Sequence, residues 1–293
     1  MNTLRIAWLT FREALRKRAL HGALGLTALF LAFYAWGVGA AVRELDYEQA
    51  RFGGINRIAR DLHIDLRPVA MGELLLAGLY AISNIAGLLA IFMAAGTIAY
   101  EIERGTLQSI VSKPVGRSQV VLGKWLGGSA MLAAYIAGSG LATAAVVYWR
   151  TGYYPALLPA GLALLVVKTA LLYSVTMVGS AVAPAIATGI AMFIIYVVTN
   201  VAGMVEQLGV LTEIETMVRI GRIASFILPS DALWKLGAYL LQPPNPLPAL
   251  GIKLTLGPFG VVEPPNGLMA LYGLAYMALA LVLATRLFSR RDL

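Results

Sequence analysis

Six apolar runs divide the chain: Ala19–Val42, Leu74–Tyr100, Trp125–Trp149, Ala156–Val182, Ala185–Val205 and Leu268–Phe288. Each exceeds the roughly 18 residues needed to cross about 30 Å of hydrocarbon at 1.5 Å per residue. Only Ala156–Val182 carries a charge near its middle, Lys168, while Arg286 sits close to the end of the last run. Lipid offers the backbone no hydrogen-bond partner, so runs of this length must be helical. The short segments of alternating polarity that a β-barrel needs are not seen. The pattern predicts an all-α, polytopic membrane protein with six transmembrane helices.

The fourth and fifth runs are separated only by "SAVAPA", residues 180–185. Pro184 can begin a helix but cannot easily continue one, so a tight helical hairpin is expected. One long bent element is the alternative and would leave five spans. Between the runs lie two long polar segments, 43–73 and 206–267, expected to be extracytoplasmic, and one short one, 101–124, expected to be cytoplasmic. Within the second, Thr212–Leu228 can form an amphipathic helix with Ile214, Met217, Val218 and Ile220 to one side, lying along the outer interface or packed on a partner. Prolines exclude ordinary helix between Pro243 and Pro248. The N-terminal stretch 1–18 reads as an amphipathic interfacial helix. Leu4, Ala7, Trp8, Phe11 and Leu15 recur at helical spacing, with Arg5, Arg12, Arg16 and Lys17 on the other face. The alternative is a plain extension of the first span.

Composition agrees with lipid. The chain of 293 residues is 59% hydrophobic and only 13% charged, with mean hydropathy +0.76, against about a quarter charged in a soluble domain. It has no cysteine, which excludes disulfides, thiolate metal sites and a cysteine nucleophile. The net charge of +8 would suggest nucleic acid in a soluble protein. Here it sets orientation instead, and no nucleic-acid partner is expected. Lys and Arg are dense in 1–18, 101–124 and 289–293, which places both termini in the cytoplasm. Trp36, Trp149, Tyr153 and Tyr154 then fall near the outer boundary, as an aromatic belt would. The basic start carries Glu13 and no short apolar core with a cleavage site, so no signal peptide is expected.

The segment 101–124 is the most informative. "EIERG" places Glu101 and Glu103 just beyond the second span, and Gly105 breaks the helix. Thr106 can cap a two-turn helix whose Leu107, Ile110 and Val111 form one apolar stripe. Pro114 ends it, and Ser118 is a candidate N-cap for the third span. A helix so short needs a covering surface: lipid, the rest of this chain or another protein.

The string E-x-E-x-G-T-L-x-x-x-x-S-x-P-V-x-R-x-x-x-x-x-G-K is matched by Glu101, Glu103, Gly105, Thr106, Leu107, Ser112, Pro114, Val115, Arg117, Gly123 and Lys124. It resembles the signature loop of ABC-2 type transporter permeases. The six spans, the amphipathic N-terminal helix and the closing "SRRDL" are similar to that family as well. The loop texture also resembles the membrane subunit of the transporter that matures the copper site of nitrous oxide reductase. The family resemblance implies a homodimer of permeases working with two cytoplasmic ABC ATPase subunits. ATP and Mg would be bound on the ATPases, leaving this chain without cofactor. The loop would be a coupling helix, with Leu107, Ile110 and Val111 docked on the ATPase and Glu101, Glu103 and Arg117 at its rim. Gly105, Thr106 and Pro114 would set its shape. Export is implied rather than import.

The residues themselves agree with a non-enzymatic chain: there is no G-x-x-x-x-G-K-[ST], no H-E-x-x-H and no G-x-S-x-G. His21 and His63 have no second histidine at helical spacing, so no metal site is expected. A charge in mid-membrane costs about 2.5–3.5 kcal/mol on insertion scales, so Lys168 must face protein or water. Lys168, Asn84 and Asn200 are therefore candidates to line a path, and equally candidates to join helices. A membrane scaffold or mechanotransmission subunit acting on an extracytoplasmic partner is the alternative function.

Overall fold

The computed structural model describes residues 3–51, 67–103, 116–244, 259–261 and 266–290. These contain nine helices: α1 (Thr3–Leu15), α2 (Arg18–Arg51), α3 (Arg67–Glu103), α4 (Arg117–Thr151), α5 (Leu158–Val182), α6 (Ala185–Thr212), α7 (Glu215–Ile227), α8 (Ser230–Leu241) and α9 (Leu268–Ser289). No strand occurs among the described residues. Six of the helices, α2 to α6 and α9, are long and apolar enough to cross a membrane. The protein is an all-α multi-pass membrane protein.

Helix α5 lies at the centre, with Leu165, Leu171, Leu172 and Met177 wholly buried against α3, α4, α8 and α9. Helices α2 and α9 are covered far less and present Leu26, Phe33, Leu271 and Leu279 outward. The "SAVAPA" hairpin forms as the proline requires. Helix α5 stops at Val182, Ala183 is extended (φ −126°, ψ 159°), and Pro184 (φ −56°, ψ 150°) is the N-cap of α6. The two are separate helices.

Helix α1 is separate from α2, with Arg16 and Lys17 turning the chain between them through bonds to Glu13 O and Ala14 O. It docks on the first turns of α4 through Ile6 and Ala14, which are buried, while Leu4, Trp8 and Leu15 point away from the protein. Of the stripe seen in the sequence, Ala7 and Phe11 are half-buried towards the protein, while Leu4, Trp8 and Leu15 are not. The reason lies on α4. At Gly127 the Ala7 carbonyl and the Phe11 amide occupy the space a Cβ would need, and at Gly123 Ile6 does. Small residues let the two backbones approach, and the large ones remain for lipid.

The longest departure from the sequence pattern follows residue 205. Helix α6 runs on to Thr212, and Glu213 then turns the chain in the left-handed region (φ 60°). The stretch expected along the outer interface is α7, folded back antiparallel on α6. Gly209 meets Met217 and Val218, and Gly221 meets Glu206 and the Ala202 carbonyl. After Leu228 and Pro229, α8 returns and ends against Gly161 at the start of α5, where Tyr153 donates to Leu241 O at 3.2 Å. The tip of this hairpin is held by α9. Tyr272 donates to Phe226 O at 2.7 Å and Tyr276 to Ile227 O at 2.9 Å. Tyr276 lies more than two turns inside α9, about 12 Å from its start. Helix α8 is thus buried within the bundle, while α7 packs on α6 at Gly209 and Gly221 and leaves Ile220, Ile223 and Phe226 exposed.

The docking of α1 can be tested by adding one methyl group. Gly127→Ala should push α1 off α4, cost about 1–3 kcal/mol by overpacking and open α1 to protease. Gly138→Ala on the same helix meets nothing within 4 Å and should leave thermal stability in detergent unchanged.

Candidate functional site

Two groups of polar residues stand out, one at the basic end of the bundle and one at its centre. At the basic end, Glu101 closes the last turn of α3 and pairs with Lys124 of α4 at 2.6 Å. The Lys124 ammonium is mostly buried and also donates to Thr97 O at 2.7 Å. Arg117, the first residue of α4, donates to Ser289 O at 2.7 Å at the C-terminus of α9. A cation is favoured there because the last carbonyls of a helix carry partial negative charge. The N-cap of α4 is Gly116, so Ser118 lies within the first turn and does not cap, and the helix starts eight residues before the apolar run. Residues 104–115 are thus bracketed by bonds that tie α3 to α4 and α4 to α9. Glu103 ends α3. Gly105, Thr106, Leu107, Ile110, Val111 and Pro114 lie outside the described residues.

At the centre, the structure brings Lys168, Asn84 and Asn200 into one network. Lys168 on α5 is fully buried and donates to Ser83 Oγ of α3 at 2.9 Å. Its ammonium lies 5.7 Å from the centre of the Tyr196 ring and 5.8 Å from that of Trp234. Cations are attracted to such faces most strongly where water is excluded. Tyr196 donates to Asn84 Oδ1 at 3.0 Å, and Asn84 and Asn200 donate to the Tyr80 and Tyr196 carbonyls one turn earlier on their own helices.

Beside Lys168 stands a second charge cluster that the sequence pattern did not reveal. Lys235 on α8 bridges Glu206 on α6 at 2.7 Å and Asp231 at 2.8 Å. The Asp231 carboxylate fills the space a Cβ would need at Gly203 of α6. Lys168, Lys235, Glu206 and Asp231 together sum to zero formal charge, with Lys235 alone in direct ion pairs and Lys168 bonded to Ser83. Burial opposes the charge on Lys235, but the Asp231 and Glu206 carboxylates outweigh it and hold the ammonium above the usual lysine range. A lysine so raised keeps its ion pairs below its ordinary titration range and loses them only as alkaline pH removes the proton. The three residues were missed because they fall in a segment read as external. The available signal was the four-residue spacing of Asp231 and Lys235 around Trp234, directly after Pro229. Among the described residues no group of three or more His, Asp or Glu could hold a metal ion.

Removing the bridge should be far more costly than removing the whole cluster. Lys235→Met strands two buried carboxylates and should lower stability by about 3–5 kcal/mol. Adding Lys168→Met, Asp231→Asn and Glu206→Gln to the same chain should restore most of that loss in a detergent melting curve, since no uncompensated charge then remains.

The sequence profile described as "ABC-2 family transporter protein" matches residues 4–293, nearly the whole chain. No individual curated protein matches it. The match is to the family at large and does not reach the narrower likeness to the copper-site maturation transporter. Six long apolar helices, the loop signature at 101–124 and a match of this length agree. The chain belongs to the ABC-2 family of transporters and is a transporter's membrane subunit.

Proposed function

We propose that this chain is the permease of an ATP-driven exporter in a prokaryotic inner membrane, with both termini in the cytoplasm. Two copies form the membrane unit, and two cytoplasmic ABC ATPase subunits bind beneath it. ATP and Mg are held by those subunits. The coupling element is the stretch 104–115, with Leu107, Ile110 and Val111 as its apolar stripe and Glu101, Glu103 and Arg117 at its rim. The observation that carries this reading is the bracing on either side of that stretch. The Glu101–Lys124 pair and the Arg117–Ser289 bond join it to three helices, so a push on it would be shared by α3, α4 and α9.

In this reading a path opens where α8 meets α3, α5 and α6, and Lys168, Asn84 and Asn200 come to line it as the hairpin shifts. A buried lysine there would favour an anionic cargo. The second reading is a mechanotransmission subunit that drives an extracytoplasmic partner protein and moves no solute. One observation favours it: Lys168 is wholly buried and bonded to Ser83 rather than facing an opening. Sealed vesicles separate the two, because only the first reading gives ATP-dependent uptake of cargo.

Docking is tested by co-purification. Leu107→Asp together with Val111→Asp should abolish capture of the ATPase while leaving the permease folded by gel filtration. Capture at wild-type yield would refute the coupling assignment.

A further inference from the structure

A cleft of about 920 Å³ opens at the basic end between α1 and α2 on one side and α3 on the other, with Lys124 of α4 among its lining residues. That is within the size range of small-molecule sites. Its lining is divided by depth. The rim is charged: Arg18 is exposed there, Lys17 stands with Glu13, and Lys124, mostly buried, with Glu101. Further in are Phe92 and Met93, two and a half turns before Glu101 on α3, or about 13 Å along its axis. Phe92 is half exposed, and Gly96 between the two levels keeps the wall open beside the Tyr100 ring.

We propose that this cleft binds an anionic phospholipid, its phosphate at the charged rim and an acyl chain laid inward against Phe92. Three features select that occupant. The rim holds three cations against two carboxylates, so it carries one net positive charge. Both carboxylates are already engaged, Glu13 with Lys17 at 3.3 Å and Glu101 with Lys124 at 2.6 Å, which leaves them poorly disposed to recruit a cationic headgroup. Arg18 and Ala19 are the first residues of α2, so the positive end of that helix also faces the cleft. A soluble anion would use the rim alone and would have no reason to meet an apolar wall running about 13 Å inward. A zwitterionic lipid would match the wall but not the charge. The neighbouring surface suits headgroups too: on α1, Trp8, Leu4 and Leu9 are exposed beside Arg5 and Arg12. The proposal needs only that this end meets a leaflet, and it stands apart from ATPase docking.

The full chain, purified in detergent without any ATPase, is exchanged against phosphatidylglycerol or phosphatidylcholine, and retained lipid is read by native mass spectrometry. Phosphatidylglycerol should be retained about fivefold over phosphatidylcholine, the worth of one charge near the headgroup. Arg18→Gln should remove that preference. Ala19→Trp, at an exposed cleft position, should block retention of both lipids without a change of charge. Arg222→Gln, on α7 far from the cleft, should alter nothing. Phosphatidylglycerol should also raise the melting temperature of the native chain and not that of Ala19→Trp, because only the native chain binds it. Equal retention of the two lipids by the native chain would overturn the proposal. So would retention unaffected by Ala19→Trp, as expected if residues 104–115 or a second copy fill the cleft. Competition by inorganic phosphate alone, at the concentration that displaces phosphatidylglycerol, would reassign the rim to a free anion.

Discussion

Hydrocarbon supplies no hydrogen bonds, so every polar group that enters it must bring its own partner. The six long helices satisfy their backbones internally, and the constraint then falls on whatever is not a spanning helix. Here that is the α7–α8 hairpin, whose tip meets Tyr272 and Tyr276 of α9. The last carbonyls of α7 have no intrahelical donor, as at any helix end. Tyr272 and Tyr276 reach across to Phe226 O and Ile227 O and supply it. The charges that α8 carries inward are answered the same way: Lys235 by Glu206 and Asp231, and Asp231 by space left at Gly203. Without these partners α8 could not be buried, and Trp234 could not sit against Tyr80 and Lys168 at the centre of the bundle.

The packing divides the molecule into parts of unequal stiffness. Helices α3, α5, α6 and α8 share one polar network and a common apolar core, so relative motion there must break several buried bonds at once. Helix α1 is attached differently, by close backbone approach at Gly123 and Gly127 with few large side chains in between. The basic end is braced by Lys124, which ties α4 to α3 through Glu101 and Thr97 O, and by Arg117, which ties α4 to the end of α9. A force applied at residues 104–115 would therefore arrive on three helices together. Where it goes next depends on whether the central network yields or moves as a unit.

Much of this could be read from the chain before any coordinates. Uninterrupted apolar length fixed the number of spans, because lipid leaves helix as the solution for such runs. Pro184 separated α5 from α6 because its ring cannot continue a helix. The hydrophobic pattern misjudged where helices end, since it sees lipid exposure and not hydrogen bonding: α4 begins at Arg117 and α6 runs to Thr212, both beyond their apolar cores. It also gave no sign that α8 packs inside the bundle, for a physical reason. A segment with Asp231, Lys235 and Glu206 looks external when each charge is weighed alone, and becomes internal only when they neutralise one another in three dimensions. Lys168 was recognisable as buried because it stood alone in an apolar run, but its partners Ser83, Tyr196 and Trp234 come from three other helices. At the basic end the loop signature already contained Glu101, Arg117 and Lys124, and the geometry shows how they are held: Glu101 by Lys124, and Arg117 by the C-terminus of α9.

The absence of native cysteine makes the central claim directly measurable, because labels can be placed without removing anything. Spin labels on Cys substituted at Thr106 in each copy of an assembled complex would report the distance between the two coupling segments by pulsed electron resonance. The distance should shorten when ATP is trapped on the ATPases, and Lys124→Met, which removes the strut to Glu101, should uncouple that movement from a second label pair at the α5–α6 turn. A distance unchanged by trapped nucleotide in the native complex would contradict the account.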